Sequence, residues 1–271
     1  MVSCSLFLRF LASLEKIVLS KDLLFHGRKF GYSVGDMCGR FARKSTQEVL
    51  AEWFDLELEE MPWFAPSYNA APQSFQPIVR LSRDSGRREA ALLRWGLVPF
   101  WARDAKLAIS TINARAEDAA SKPAFREALK KRRCLVPADA FYEWQRLDPK
   151  TRRPFAFALA SGEPYAFAGL WESWQPKAPT GAVALETFTI LTTEPNELMA
   201  PVHNRMPVII EPKSYDRWLD TSSTALPLEL LRSYPAEQMR AWPVSEQVGN
   251  VHNNAPTLLD EVQDTQQSLF S

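Results

Sequence analysis

Cys38 follows Met37 directly. If translation begins at that methionine, cysteine is the second residue, and its small side chain permits removal of the initiator. The chain then starts with a thiol and a free α-amine on one residue. An α-amine titrates near ~7.8 against ~10.4 for lysine, so close to neutral pH roughly a third of it is unprotonated, compared with about one lysine in a thousand. A neutral amine adds to an aldehyde to give an imine, and the neighbouring thiolate closes a five-membered thiazolidine. Reversal requires the C–S bond to break before the imine can hydrolyse. An N-terminal cysteine is therefore a trap for aldehydes or, with other substrates, a nucleophile for acyl transfer. A cysteine embedded within a β-rich chain is more often a small buried hydrophobe.

Other polar residues sit in unusual company. Glu143 lies in FYEW (141–144), a carboxylate amid three aromatics on a predicted strand. If it faces inward, the apolar surroundings are expected to raise its pKa and suit it to general acid–base work; if outward, it is an ordinary strand residue. His203, in PVHNRMP, occupies a proline-bounded loop two residues before Arg205. Asn113 and Arg115, in TINAR, present an amide and a guanidinium on one side of an extended segment, or serve merely as a loop cap and a surface cation. With Cys4, Cys38 and Cys134, three histidines and no CxxC, a disulfide scaffold and a structural zinc site are both unexpected. No metal and no cofactor is expected.

Together these residues lie in ordered blocks: MCGRFA (37–42), YNAAP (68–72), RWGLVPFW (94–101), INAR (112–115), FYEW (141–144) and PVHNRMPVII (201–210), with PVS…VHNNAP (243–256) trailing. In this the chain resembles the SOS-response-associated peptidase (SRAP) family, also called abasic-site processing proteins, over about residues 37–260. The resemblance implies binding of single-stranded DNA. It also implies capture of the ring-opened aldehyde of an abasic site as a thiazolidine crosslink to Cys38, shielding the lesion during replication.

By the same resemblance, Asn113 positions the α-amine and the sugar. Glu143 shuttles protons during ring opening and imine formation. His203 assists imine chemistry, crosslink reversal and lyase cleavage. Arg40, Arg115 and Arg205 are implied as phosphate contacts, Thr192 as a hydroxyl contact and Asn69 as a further DNA contact; Trp95 and Trp144, with Pro72, would wall the lesion. The family's peptidase label implies self-removal of whatever precedes the cysteine. A cysteine peptidase or amidohydrolase using Cys38 on acyl substrates is the competing reading, and a non-catalytic DNA reader with a structural cysteine is a third.

Residues 1–36 depart from that pattern, and Cys38 in amide linkage cannot form the ring. The expectation is that this segment is absent from the mature protein, because the true start is Met37; self-cleavage is the competitor, and an inactive chain the remaining outcome. The segment holds five basic and three acidic side chains, so the rest carries 27 basic against 29 acidic groups. DNA affinity must then come from a local arginine cluster and base stacking, not from a basic surface. The tail ends QQSLFS, and Gln266–Phe270 looks like the short peptide that docks on bacterial sliding clamps.

These side chains need a scaffold. The chain is 46% apolar with nine Trp, ample for a core, and Pro (20) outnumbers Gly (10), favouring rigid turns and short strands. Strands are predicted at Phe75–Leu81, Ala90–Val98, Cys134–Trp144, Thr187–Thr193, Arg205–Ile210 and Met239–Val244. FAFALA-SGEP-YAFAGLWESW reads as a hairpin. Helices are predicted at Leu6–Leu23, after a Ser45 or Thr46 cap with Val49, Leu50 and Trp53 on one face, at Glu117–Lys131, and near 212–220 and 227–233, with a helical turn at Asn196–Ala200. The helices are too few and too short for a doubly wound sheet. The expected class is α+β: a mainly antiparallel, barrel-like sheet with peripheral helices. The polar tail from 261 to 271 is expected to be mobile. No apolar run is long enough for a membrane span, so the expectation is a cytoplasmic, bacterial monomer working at the nucleoid or replication fork.

Overall fold

The computed structural model of the protein describes residues 39–176 and 183–263. In chain order the elements are β1 (Phe41–Arg43), α1 (Gln47–Phe54), β2 (Ser67–Ala70), β3 (Phe75–Leu81), β4 (Arg88–Trp95), β5 (Asn113–Arg115), α2 (Ala116–Ala119) and α3 (Arg126–Lys131). There follow β6 (Arg133–Ala138), β7 (Ala140–Arg146), β8 (Arg152–Leu159), β9 (Tyr165–Trp174), β10 (Leu185–Thr193), β11 (Met206–Pro207), β12 (Ile209–Ile210), α4 (Tyr215–Leu219) and β13 (Met239–Pro243).

A closed ring organises them. β3 pairs antiparallel with β4 and with β6, β6 with β9, and β9 with β10. β10 returns to β4 in parallel, placing Phe188 beside Trp95. The outcome is the expected α+β, mainly antiparallel barrel. A second sheet, β13-β8-β7-β1-β2, lies against it.

Burial explains why the barrel strands read as near-continuous apolar runs. On β9, Tyr165, Phe167 and Trp171 join Trp95, Phe188 and Cys134 in one core, while Ala166, Ala168 and Leu170 pack outward against Phe125, Leu129 and Trp218 beneath the helices. Both faces are covered, so the period-two alternation of a half-exposed strand is lost. Gly169 is needed in this wall: a Cβ there would lie 2.7 Å from Cys134 Sγ and 2.9 Å from Val136 Cγ2.

Several expectations are corrected. The FAFALA and YAFAGLWESW segments are not a hairpin: β8 pairs with β7 and β13, whereas β9 pairs with β6, β10 and β12. A short turn joins them, but β9's buried faces are satisfied only within the barrel. Cys134–Trp144 is two strands in different sheets, and Asp139 makes the corner. Its N–H donates to Ala42 O at 2.8 Å, and its carboxylate accepts from Ser45 N (2.9 Å) and Ser45 Oγ (2.6 Å). Ser45 is thus bonded to Asp139, and Thr46, at the N-cap of α1, makes no side-chain cap hydrogen bond.

The face of α1 is also different: Leu50, Ala51 and Phe54 are buried, while Val49 is exposed. The single helix over Glu117–Lys131 divides into α2 and α3 around Pro123, which cannot continue the hydrogen-bond ladder. Arg205–Ile210 becomes β11 and β12, separated at Val208. At the far end, Glu261 bridges Val244 and Val262 N–H donates to Pro243 O at 3.0 Å, so the tail does not become free at 261. The predicted helix over Leu6–Leu23, Cys38 itself and Gln266–Phe270 lie outside the described residues.

Candidate functional site

The strand register brings the start of the described chain to Glu143. Phe41 faces Phe141 and Ala42 faces Ala140 across the β1–β7 ladder, and Tyr142 N–H donates to Arg40 O at 3.0 Å. Continued past Arg40, the same antiparallel register would set Gly39 opposite Glu143. Strand alternation puts Glu143 on the face of Phe141, a member of the main core, and the residue is 4% exposed. The inward orientation, one of two left open by the sequence, is the one found.

Two ties draw Asn113 and His203 to the same region. The Phe41 and Trp95 rings lie 5.3 Å apart, and Trp95 Nε1 donates to Ile112 O at 2.7 Å, which holds the residue before Asn113. Asn113 is 3% exposed on β5 and lies beside Ile190 of β10. From β7, Gln145 Nε2 donates to Pro201 O at 3.3 Å, joining the strand of Glu143 to the loop of His203. Ile112, Val202 and Phe155 pack against the main core, so the three polar residues sit where that core meets its rim.

His203 has an arrangement that its sequence position does not reveal. Its Nδ1 lies 3.1 Å from Arg205 N and 3.1 Å from Arg205 O. A neutral ring accepts from the N–H at Nδ1 and carries its proton on Nε2; the imidazolium donates from Nδ1 to the carbonyl. One backbone unit can therefore meet Nδ1 as either acceptor or donor.

The predicted DNA contacts separate into different environments. Arg115 is exposed at the end of β5, beside Thr192 of β10. Thr192 is fully buried, with Oγ1 3.5 Å from Arg205 Nη2. Arg205 is held at its own fork: Nη1 and Nη2 donate to the two carboxylate oxygens of Glu117 at 2.9 and 2.8 Å, and Nη2 also donates to Thr192 O at 2.6 Å. Those bonds hold the Glu117 carboxyl below the usual carboxylate range.

Arg40 and Asn69 brace a loop. Arg40 Nη1 donates to Asn69 Oδ1 (2.9 Å) and Val248 O (2.8 Å), and Nη2 to Gly249 O (3.1 Å). Burial lowers its pKa. Asn69 Nδ2 lies within bonding distance of Val248 O (3.2 Å), Asn250 O (3.0 Å) and Asn253 O (2.9 Å). Pro72 is half-buried in a turn closed by Ser74 N–H to Ala71 O at 3.2 Å, with Gln73 at φ 72°.

The two tryptophans expected to wall the lesion occupy different environments. Trp95 is 1% exposed inside the barrel, 6.2 Å from Phe188 in a near-parallel stack. Trp144 alternates to the face opposite Glu143, where it packs with the cluster of Tyr142, Trp242 and Val248. Period two on β7 decides this: Glu143 and Trp144 cannot share a face.

A different aromatic surface went unrecognised in the sequence. Leu97 N–H donates to Thr111 O at 3.2 Å, and Thr111 Oγ1 donates to Leu97 O at 2.5 Å, closing the neck of a loop just before Asn113. That loop exposes Phe100 (55%), Trp101 (46%) and Ile109 (53%), along with Arg103 and Lys106. Gly96 permits the turn into it at φ 121°, where a Cβ would lie 2.4 Å from Ala108 O. The clue was present in the second Trp of RWGLVPFW, which follows a proline instead of continuing the strand. Among the described residues there is no group of three or more His, Cys, Asp or Glu that could hold a metal ion, and no helix long and apolar enough to cross a membrane.

A closed barrel with a second five-stranded sheet defines the structural class. The SOS response associated peptidase (SRAP) profile matches residues 37–251, and the chain belongs to that family. It is 43% identical over 228 residues to the abasic site processing protein YoqW of Bacillus subtilis strain 168, covering 83% of this chain and 99% of that one. To the abasic site processing protein HMCES of Pongo abelii it is 32% identical over 251 residues, covering 80% of this chain and 69% of that one. A crystal structure of a Bacteroides thetaiotaomicron protein superposes with a TM-score of 0.72 at 26% identity, covering 83% of this chain and all of that one.

Proposed function

We propose that this protein recognises abasic sites in single-stranded DNA and captures them covalently through Cys38. The observation that supports the reading is the β1–β7 register with the Tyr142 N–H to Arg40 O bond, which directs the chain leading back to Cys38 toward the buried Glu143. Family membership and the names of the relatives support the lesion. The exposed Phe100, Trp101 and Ile109 support single-stranded DNA, because stacking on unpaired bases needs solvent-facing rings and no sequence code. Arg115 adds an exposed cation next to that loop's exit strand.

The chemistry balances without a cofactor. Glu143 takes the hydroxyl proton of the cyclic deoxyribose while the ring oxygen is protonated, opening the aldehyde. The free α-amine of Cys38 adds to the carbonyl carbon, and loss of water gives the imine. The Cys38 sulfur then bonds to that carbon as the imine nitrogen is protonated, closing the thiazolidine. Asn113 orients the amine, and His203, whose Nδ1 is served in either state, supplies and removes protons through Nε2, including in reversal and lyase cleavage. The amine must be free, so the active chain begins at Cys38, through initiation at Met37 and loss of the initiator or through self-removal of the preceding residues. The protein is proposed to act as a cytoplasmic monomer, and Gln266–Phe270 is proposed to bring it to the sliding clamp.

The test is incubation of a Met37-start chain with single-stranded DNA containing one abasic site. A heat-stable, gel-shifted species that Cys38→Ala abolishes is expected. Peptide hydrolysis without a shifted species would replace this reading with the acyl-transfer one, and reversible binding alone would make the protein a DNA reader.

A further inference from the structure

Arg205 has the shape of a phosphate ligand, but its fork is already filled. Nη1 and Nη2 make two parallel bonds, 2.9 and 2.8 Å, to the carboxylate of Glu117. Its other edge is turned inward, with Nε buried and without a hydrogen-bond partner among the described residues, and the side chain is only 11% exposed. Glu117, by contrast, is 48% exposed. A carboxylate and a phosphate match a guanidinium fork in the same bidentate way. A phosphate arriving from solvent therefore meets Arg205 only by taking the place of Glu117. Arg115, two residues before Glu117, is exposed.

We propose that Glu117 is an intramolecular occupant of the Arg205 phosphate site, displaced when a nucleic-acid backbone binds, and that it thereby sets the affinity of the protein for single strands. This rests on the DNA-binding reading above. The Glu117 carboxylate is half-exposed and so open to competition from solvent, and a strand anchored elsewhere, by stacking and by Arg115, can exchange its own phosphate, which fits the same fork, for the carboxylate. Displacement adds one phosphate contact and uncovers a carboxylate beside the strand, so the two charges oppose each other in the bound state. Random, weakly anchored contact is thereby discouraged.

The experiment measures binding of an undamaged single-stranded oligonucleotide, which cannot be trapped covalently, by fluorescence anisotropy over a series of salt concentrations. The proteins are the full chain, Glu117→Gln, and Asp118→Asn. Asp118 carries the same charge at the next position but pairs with Lys122, not Arg205. Glu117→Gln is expected to tighten binding by about three- to tenfold, with a steeper salt dependence by up to about 0.7 in log–log slope, the contribution of one phosphate on a single strand. Asp118→Asn is expected to shift affinity by less than about twofold with its slope unchanged. Thermal melting of each variant checks the fold. Equal effects from the two substitutions, or no tightening in Glu117→Gln, would overturn the inference while leaving the DNA-binding reading intact. Failure of the full chain to bind single strands at all would overturn both.

Discussion

Replacing Asn69 with alanine tests whether that residue serves DNA or the scaffold. Its amide has two N–H groups distributed over three backbone carbonyls, those of Val248, Asn250 and Asn253, and its oxygen accepts from Arg40 Nη1. The site is 5% exposed, so water cannot readily replace the lost partners. Two neutral hydrogen bonds are worth about 1 kcal/mol each. The charged one contributes about as much, near the low end of its class, because Arg40 retains Val248 O. The sum is about 3 kcal/mol. For a domain of this size 1 kcal/mol moves the melting temperature by about 2–4 °C, so a fall of about 6–12 °C is expected. Circular-dichroism melting measures it, and crosslinking at a temperature where the variant is folded should proceed at near the parental rate. A melting temperature changed by under about 2 °C together with lost affinity for single strands would refute the bracing role and return Asn69 to the DNA.

Glu143→Gln should slow crosslinking by about 100- to 10,000-fold while leaving affinity within about twofold, as gel-shift time courses against anisotropy would show; an equal loss in both would remove the proton-shuttle assignment. Trp101→Ala should weaken binding of single strands by about 1–3 kcal/mol if its exposed ring stacks on a base, and an unchanged Kd would exclude the loop from the interface. Stability should fall at alkaline pH. Burial raises the Cys134 thiol and the Tyr142 and Tyr215 phenols above their ordinary values of 9.0 and 10.0. Above those values the unfolded chain loses protons that the folded chain retains, so the stability these groups contribute is full below about pH 9 and declines as pH rises past it. Tyr142→Phe should make that decline shallower in urea titrations, at a cost of about 1 kcal/mol from its bond to Tyr68 O; an equally steep decline would refute the assignment.

The family of this protein was legible in its residues. A cysteine after an internal methionine, a carboxylate among aromatics and an Asn-Ala-Arg block are local patterns, and the α+β class follows from short apolar strands with few short helices, which are local properties too. What the chain could not declare was which surfaces meet. Two adjacent runs with ideal hairpin character join different sheets, because only the barrel covers both faces of β9. Trp95 and Trp101 stand six residues apart in one block, yet one is sealed in the core and the other faces solvent. Partner choice among cations is likewise a matter of distance in space: Asn69 and Glu117 lie 29 and 88 residues from the arginines they hold. Residue type sets what a group can do, and the packing of segments remote in sequence decides which groups are left free to do it.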